Sequence, residues 1–237
     1  MSLALLSLFL AAFTIGTTEF VVAGLLPAVS SDLEVTIPVA GYLISGYALG
    51  VAIGGPFVTL ALTRLAKKQA ILLLMAIFVA GHAWCALAPT YEWLMAGRVF
   101  VSLSHGSFMG VASVLAVTLV PENRRGMAIA TITAGITVAN VLGVPGGTFI
   151  GTWLGWRATF WIIGGIAIIT ATAMVMLLPA DKPGAAAARK IGQQFRVLAQ
   201  QRVYVTFSII TSMMIGFWAL FAYVAPLLRE VSLVGEE

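Results

Sequence analysis

Residues 93–119 read WLMAGRVFVSLSHGSFMGVASVLAVTL, a continuous run in which only Arg98 and His105 can carry a charge. A hydrocarbon core of about 30 Å needs roughly 20 apolar residues in a helix, so this run is long enough to cross a bilayer. The whole chain has the same character, since 60% of its 237 residues are hydrophobic and 9% are charged. Soluble domains carry about 25% charged residues, so the composition argues against a soluble enzyme and predicts an integral membrane protein.

Seven apolar runs follow one another along the chain. We predict all-α spans at residues 3–27, 39–62, 69–88, 93–119, 126–150, 156–179 and 203–228. The first run has no basic segment before it and is longer than the core of a signal peptide, so we predict that it is a retained span.

The stretch between the sixth and seventh runs is too polar to cross the membrane. Ile191, Phe195 and Leu198 recur there at helical spacing opposite a basic face. This pattern is typical of a helix that lies on a membrane surface. We therefore divide the chain into a six-span bundle, a cytoplasmic basic amphipathic linker, and a seventh span with a short outer tail: residues 1–179, 180–202 and 203–237.

Basic residues are concentrated in alternate loops. If the N-terminus is inside, most of the 13 Lys and Arg residues fall in cytoplasmic loops. Because Lys and Arg in short loops stay cytoplasmic, we predict a cytoplasmic N-terminus. This distribution explains the net charge of +4 as membrane topology, and we expect no nucleic-acid partner.

Two sets of three spans, which we call triplets, have prolines and glycines at matching positions. Pro56 lies near the end of the second span, and Pro145 lies 89 positions later in the fifth. Closely spaced glycines accompany both prolines: Gly46, Gly50 and Gly54 in one span, and Gly143, Gly147 and Gly151 in the other. Because three is odd, the second triplet would insert upside down, an arrangement typical of secondary transporters. The alternative is that glycine and proline are simply frequent in membrane helices.

Ionisable residues inside the spans are candidate functional residues, because burying them in lipid is costly. Glu19 and Arg98 lie roughly 12 Å and 7–8 Å from the same membrane face at 1.5 Å per residue. Loss of water favours a neutral carboxyl group, whereas a nearby arginine favours its charged form. Movement of Arg98 relative to Glu19 would therefore bind or release a proton. A static salt bridge, or an Arg98 side chain that reaches the headgroups, is the alternative.

Other residues are weaker candidates. His105 could relay protons or bind substrate, or simply hydrogen-bond to a neighbouring helix. His82 and Cys85 share a span without further ligand-type residues, which favours packing over a metal site. Aromatic and amide side chains could line a substrate cavity, although packing roles are equally compatible with the pattern: Phe20, Phe108, Asn140, Trp218 and Tyr223.

Enzyme motifs do not occur in the sequence. It contains no G-x-S-x-G, H-E-x-x-H or G-x-x-x-x-G-K-[ST] pattern and no cysteine cluster. We therefore expect no catalytic residues, no metal and no cofactor. Pro145 removes one helical hydrogen bond and permits a bend, so Gly143, Pro145 and Gly147 form a candidate hinge.

The order of these features resembles the N-terminal half of a major facilitator superfamily transporter, in the bacterial twelve-span drug:proton antiporter and sugar-efflux group. Three segments carry the resemblance: Thr18-Glu19-Phe20 with Gly24-Leu25-Leu26-Pro27, Gly97-Arg98 with His105-Gly106, and Gly135 with Gly143-Val144-Pro145-Gly146-Gly147. The second is similar to the span 4 motif R-x-x-x-x-x-x-G, whose arginine is associated with proton coupling. The third resembles the span 5 antiporter motif.

The loop between the second and third spans departs from the family pattern. The family usually has G-x-L-x-D-R-x-G-R-K, whereas residues 59–68 read TLALTRLAKK. Arg64, Lys67 and Lys68 keep the basic character that the resemblance connects with cytoplasmic gating. Thr63 replaces the acidic residue, so a gating salt bridge that needs that acid is not expected.

The resemblance implies a proton-coupled efflux transporter of the bacterial plasma membrane, with protons coupled through Glu19, Arg98 and His105. It implies amphipathic drugs such as chloramphenicol-like compounds, or sugars and nucleosides, as substrates. Family members have about twelve spans in two bundles, so we predict the six-helix N-terminal bundle with a 3+3 inverted repeat, plus a seventh span. The alternative is a non-transporting truncated membrane protein, or a half-transporter that needs a partner such as a C-terminal bundle or a second copy.

Overall fold

The computed structural model describes residues 2–180 and 200–232, with side chains described up to residue 216. Contacts divide the chain into two units, Met1–Ala187 and Ala188–Glu237, and each unit is described by itself. Residues 181–199, which make up most of the predicted linker, lie outside the described residues.

Seven α-helices make up the described part of the first unit. They are α1 (Leu3–Asp32), α2 (Ile37–Leu62), α3 (Lys67–Ala86), α4 (Tyr91–Thr118), α5 (Arg125–Val138), α6 (Val144–Leu154) and α7 (Trp156–Leu177). A π-helical turn joins α5 to α6, so the stretch Glu122–Leu154 counts as one span. Within the part of the chain that the structure describes, six helical stretches are thus long and apolar enough to cross a membrane, and they confirm the first six predicted spans. The described residues contain no β-strand.

The second unit contains α8 (Gln201–Ser232). This helix covers the predicted seventh span, residues 203–228, and extends beyond it at both ends. The side chains of Trp218 and Tyr223 lie outside the described side chains, so their predicted place in a substrate cavity stays a prediction.

The first helix is longer than predicted. We expected it to end at Pro27, but α1 continues to Asp32. Proline removes one backbone hydrogen bond and does not by itself end a helix whose neighbours hold it. The thirty residues of α1 span about 45 Å at 1.5 Å per residue, which exceeds the hydrocarbon core. The final turn, which contains Asp32, therefore lies beyond the length that a hydrocarbon core requires.

Helix entries and turns follow from local sequence. Ser2, Thr36 and Thr90 each accept a hydrogen bond from the backbone N–H three residues later, and these caps start α1, α2 and α4. Gly155 has φ of +85° between α6 and α7, a conformation that glycine adopts without a steric penalty.

The two triplets interlock rather than pack side by side. The second helix of the first triplet, α2, packs on α4, the first helix of the second triplet. Added Cβ atoms on Gly46, Gly50 and Gly54 would meet residues progressively further along α4: Met95, Ser102 and Leu103. The contacts advance in the same direction along both helices, so α2 and α4 run parallel at close approach.

The same arrangement recurs in the second triplet. The glycines of α5, α6 and the turn between them face α1, which lets these backbones approach closely. Added Cβ atoms on Gly135, Gly143, Gly147 and Gly151 would meet Phe9, Thr17, Val21 and Leu25, in that order. Gly46 and Gly135, and Gly54 and Gly143, are each 89 positions apart, as Pro56 and Pro145 are. The interlock thus confirms the predicted inverted repeat.

Two cations tie α3 and α7 together at opposite ends. The Lys68 Nζ donates to the Val175 carbonyl (2.8 Å) and the Leu178 carbonyl at the C-terminal end of α7. Arg157, at the start of α7, donates to the Ala88 carbonyl (3.0 Å) just after α3. Cations are favoured at helix C-termini, because unpaired carbonyls and the helix dipole are negative there. We name these contacts the reciprocal clamps.

The reciprocal clamps belong to the repeat, since Lys68 and Arg157 are also 89 positions apart. The Arg157 side of the pair is reinforced from α1. The Asp32 carboxylate accepts hydrogen bonds from Arg157 and from the indole of Trp156 (3.1 Å). The Arg157 guanidinium lies 4.2 Å from the centre of the Trp156 ring. The C-terminal ends of α1 and α3 and the start of α7 are therefore held together at one end of the bundle.

Candidate functional site

Arg98 lies at the centre of a buried polar cluster between α1, α2, α3 and α4. Its side chain is completely buried. Nη1 donates to the backbone carbonyl of Thr18 (2.9 Å) and approaches the Thr18 hydroxyl (3.4 Å). The guanidinium carbon lies 4.1 Å from the centre of the Tyr47 ring, a cation–π contact that gains strength when water is excluded. Two helices other than its own therefore fix the position of the arginine.

Tyr47 connects this cation to His105. The Tyr47 hydroxyl lies 3.0 Å from Nδ1 of His105. The other ring nitrogen of His105, Nε2, lies 3.9 Å from a Glu19 carboxylate oxygen. Glu19 is the open end of this series, because a third of its side chain is exposed, whereas only a tenth of the His105 side chain is. The series therefore runs from an accessible carboxylate into the buried core.

Thr18 and His82 form the second branch of the cluster. His82 Nε2 lies 2.8 Å from the Thr18 hydroxyl, and His82 Nδ1 lies 2.8 Å from the Phe78 carbonyl. A carbonyl only accepts, so Nδ1 carries the proton and the Thr18 hydroxyl donates to Nε2. This leaves the lone pairs of the Thr18 oxygen facing Arg98. His82 therefore supports the arginine through Thr18.

Arg98 does not pair directly with Glu19 but binds the residue that precedes it. Within the described residues Arg98 forms no ion pair with Glu19 at 4.0 Å or less, and its bonded partner is the preceding residue, Thr18. Nε and Nη2 of Arg98 are buried without a hydrogen-bond partner in the protein. A buried charge with unused donors is costly and attracts an anion. Glu19 directly follows Thr18, the residue that Arg98 binds, so its charge state affects the energy of the whole cluster.

Sequence reasoning missed Tyr47, and it named Thr18 only as part of the family resemblance and not as a site residue. Tyr47 lies ten residues into α2, roughly 15 Å below its start at 1.5 Å per residue. A phenol at that depth needs a hydrogen-bond partner, and this was the available signal. The partner itself is 58 residues away in the sequence, so only the packing of α2 on α4 identifies it.

The residues predicted to line a substrate cavity do not share one environment. Phe20 is half-buried next to Glu19, and Asn140 is exposed in the π-helical turn. Phe108 is completely buried in the bundle core, where it contacts protein rather than an open cavity. It is a poor candidate for substrate contact in this conformation.

The predicted hinge lies beside a cavity of about 170 Å³ between α1, α6 and α7. The π-helical turn Ala139–Gly143 ends just before Pro145, and Gly143 and Gly147 line the cavity. π-Helical turns are wider than α-helical ones and are frequent at functional sites. Pro145 cannot donate a backbone hydrogen bond, so the ladder is already interrupted at this point.

The basic loop residues have different surroundings. Lys68 is engaged in the reciprocal clamps, so its contact in this structure is structural. Arg64 lies in the turn between α2 and α3, and Lys67 begins α3. A gating role for this loop stays a prediction.

The fold and the buried cluster define a multi-pass membrane protein built on an inverted repeat, the architecture of secondary transporters. The family model of the Major Facilitator Superfamily matches residues 8–233. The chain therefore belongs to the Major Facilitator Superfamily, whose members are transporters and not enzymes.

Curated relatives agree with this assignment. The inner membrane transport protein YdhP of Escherichia coli (strain K12) is 40% identical over 231 residues, covering 96% of this chain and 58% of that protein. The chloramphenicol resistance protein of Streptomyces lividans is 36% identical, covering 100% of this chain and 61% of that protein. A probable sugar efflux transporter of Helicobacter pylori (strain G27) is 34% identical, covering 72% and 44%. The chain spans roughly half to three fifths of the length of these relatives.

Solved structures support the fold alone. A peptide transporter POT in complex with sulfate has a TM-score of 0.69 at 16% identity, covering 94% of this chain and 46% of that one. A bacterial homologue of the human lysosomal transporter Spinster has a TM-score of 0.68 at 21% identity, covering 98% and 56%. Both confirm the predicted all-α major facilitator fold.

Proposed function

We propose that this chain is the N-terminal part of a proton-coupled exporter of small molecules. The observation that supports this function best is the series from the partly exposed Glu19 through His105 and Tyr47 to the buried Arg98. Only Glu19 in this series opens to the surroundings, and its protonation changes the net charge around a buried cation. A carboxylate that alternates between these states is a suitable coupling group in a transporter.

Coupling follows from the energies of the two charge states. With Glu19 charged, attraction to Arg98 favours a conformation that keeps the two groups close and the carboxylate shielded. With Glu19 protonated, that attraction is lost and the carboxyl group tolerates a drier environment. Proton binding therefore shifts the balance between two conformations, which is the requirement for exchanging a proton against a substrate. The glycine-lined contacts between triplets supply close, flat surfaces along which the helices could shift.

Amphipathic drugs are the substrate class we propose first. One relative is named as a chloramphenicol resistance protein and another as a probable sugar efflux transporter, so sugars and nucleosides are the second class. The half-buried Phe20 next to Glu19 offers an aromatic surface beside the proposed coupling group. Apolar walls with a few polar groups are typical of small-molecule sites.

We propose a cytoplasmic N-terminus in a bacterial plasma membrane. The turns at Arg64 and at residues 121–125 are the basic ones, and this supports their cytoplasmic location. The native Cys85 is buried, whereas Asn123 and Leu87 are exposed, so single cysteines introduced at these two positions can be labelled selectively. An impermeant thiol reagent added to intact cells should label Leu87→Cys and not Asn123→Cys. The reverse pattern would overturn the orientation.

Export from inverted vesicles tests the proposed function. We define the export-competent form as this chain, or a longer gene product that contains it, whichever moves substrate. We expect a panel of drugs, sugars and nucleosides to yield at least one compound whose uptake into inverted vesicles stops when an ionophore collapses the proton gradient. Uptake by the longer product alone would mean that transport needs a second bundle. Uptake unaffected by the ionophore in both forms would contradict proton coupling.

A further inference from the structure

Tyr47 connects Arg98 to His105, and the proposed function places it in the series without giving it a separate role. Its side chain is almost completely buried, with 2% of its surface exposed. Its ring packs against the Arg98 guanidinium at 4.1 Å, and its hydroxyl lies 3.0 Å from His105 Nδ1. This one side chain of α2 therefore contacts two residues of α4, Arg98 through its ring and His105 through its hydroxyl.

The contact between the Tyr47 hydroxyl and His105 Nδ1 is compatible with either direction of donation, because a phenol both donates and accepts. The charged Glu19 carboxylate on the other side of the ring only accepts, and this favours a proton on Nε2 and donation from the Tyr47 hydroxyl to Nδ1. If the hydroxyl donates to Nδ1, the proton of the neutral imidazole must lie on Nε2. Nε2 faces the Glu19 carboxylate at 3.9 Å, a separation that a small side-chain rotation or one water molecule can bridge. His105 would then present a donor to Glu19 whenever Tyr47 is in place.

We propose that Tyr47 is a positioning residue that holds His105 in the Nε2–H tautomer facing Glu19, while its ring holds Arg98 beside the same pair. This inference rests on the proposed function for its role in proton coupling. It gives the two histidines opposite tautomers, because His82 carries its proton on Nδ1. The tautomer of His105 is itself a structural property that can be measured without transport.

The other titratable side chains near His105 and Glu19 lie on three helices, α1, α3 and α4. Arg98 lies on the same helix as His105, Glu19 lies on α1, and His82 and Cys85 lie on α3. Helices α5, α6 and α7 add no further titratable group near Glu19 and His105. Helix α6 contains no titratable residue, and those of α5 and α7 are Arg125 and Arg157, which lie at the starts of the helices. Tyr47 is thus the group of α2 that mediates between Arg98 and His105.

Nitrogen-15 NMR of the ring-labelled chain in lipid nanodiscs tests the tautomers directly, because the sequence contains only two histidines. We expect one Nδ1–H and one Nε2–H imidazole, with the Nε2–H signal assigned to His105 by its loss in His105→Gln. In Tyr47→Phe, which keeps the ring, the His105 signals should move towards a mixture of tautomers while the His82 signals stay unchanged. Tyr42→Phe is the matched control, since Tyr42 is 61% exposed on the same helix. An Nδ1–H tautomer at His105, or no change in Tyr47→Phe, would overturn the proposal.

Transport measurements separate this role from the proposed function. In the export-competent form, Tyr47→Phe should lower proton-driven export by about tenfold or more, the lower range expected for a misplaced proton-transfer group. The substrate KM and the rate of substrate exchange without a gradient should stay unchanged. A merely structural defect would slow export and exchange together and would also change the KM. If export proves independent of protons while the NMR result holds, the proposed function fails and the assignment of Tyr47 as the group that orients His105 stands. If export is proton-driven and Tyr47→Phe matches Tyr42→Phe, the assignment of Tyr47 fails.

Discussion

Proton-driven export should fall by at least about 100-fold in the Glu19→Gln variant of the export-competent form, the size of effect expected when a proton-transfer group is removed. Glutamine has nearly the same shape and remains polar, so it fits the partly exposed position beside His105. It carries no charge in either conformation, so it neither attracts Arg98 nor takes up a proton. The conformational equilibrium then loses its dependence on pH. The measurement is initial export rate against the imposed pH gradient.

Two comparisons make this result specific. Glu92→Gln is the matched control, because Glu92 is an exposed acid at the start of α4, and its removal should leave export near the wild-type rate. Substrate exchange without a gradient should persist in Glu19→Gln, since the substrate path is intact and only the coupling group is missing. Unchanged dependence on the pH gradient in Glu19→Gln would show that another group binds the coupled proton.

Gly106→Ala should lower the free energy of unfolding by about 3 kcal/mol, the upper range for overpacking a well-packed interior. An added Cβ on Gly106 would lie 2.6 Å from the Gly55 Cα and 2.7 Å from the Val51 carbonyl oxygen. Both are backbone atoms, so no side-chain rotation can relieve the contact, and α2 must move away from α4. The measurement is reversible chemical unfolding of the purified chain in mixed micelles.

The control lies one turn further along the same helix. Apart from its own chain neighbours and helix backbone, no atom lies within 4 Å of a Cβ added to Gly110. Because alanine is favoured over glycine inside a helix by roughly 0.5–1 kcal/mol, Gly110→Ala should leave stability unchanged or raise it slightly. The two substitutions are chemically identical, and opposite signs would confirm that the close approach of α2 and α4 is the cause. Equal effects would contradict it.

Hydropathy predicted the spans well because a membrane imposes a strong, local requirement on every helix. The six predicted spans of the first unit match the helices to within a few residues at most ends. Pro27 is the main exception, since the neighbours of α1 and the contacts of Asp32 carry that helix onward. Glycine and proline spacing also revealed the repeat, because close helix approach leaves a visible pattern of small residues.

The polar cluster was only partly predictable. Arg98, Glu19 and His105 are identifiable because charge is rare in a span. Their partners are set by which helix faces which, and this depends on contacts between residues far apart in the sequence. Tyr47 and Thr18 are ordinary side chains until α2 and α1 pack against α4. The bond from Arg98 to the Thr18 carbonyl could not be predicted for the same reason, because depth along a helix says nothing about rotation around it.

The interlock of the two triplets also constrains how the bundle can assemble during synthesis. The parallel partner of α2 is α4, and the parallel partners of α1 are α5 and α6, so neither partner exists when the first three helices have been made. Until then the glycine face of α2, the face of α1 that packs against α5 and α6, and the side chain of Glu19 lie in the bilayer without their native neighbours. The reciprocal clamps add to this, because Lys68 has no helix end to bind before α7 is complete. All six spans, α1 to α7, must therefore be inserted before the first unit can reach its native packing.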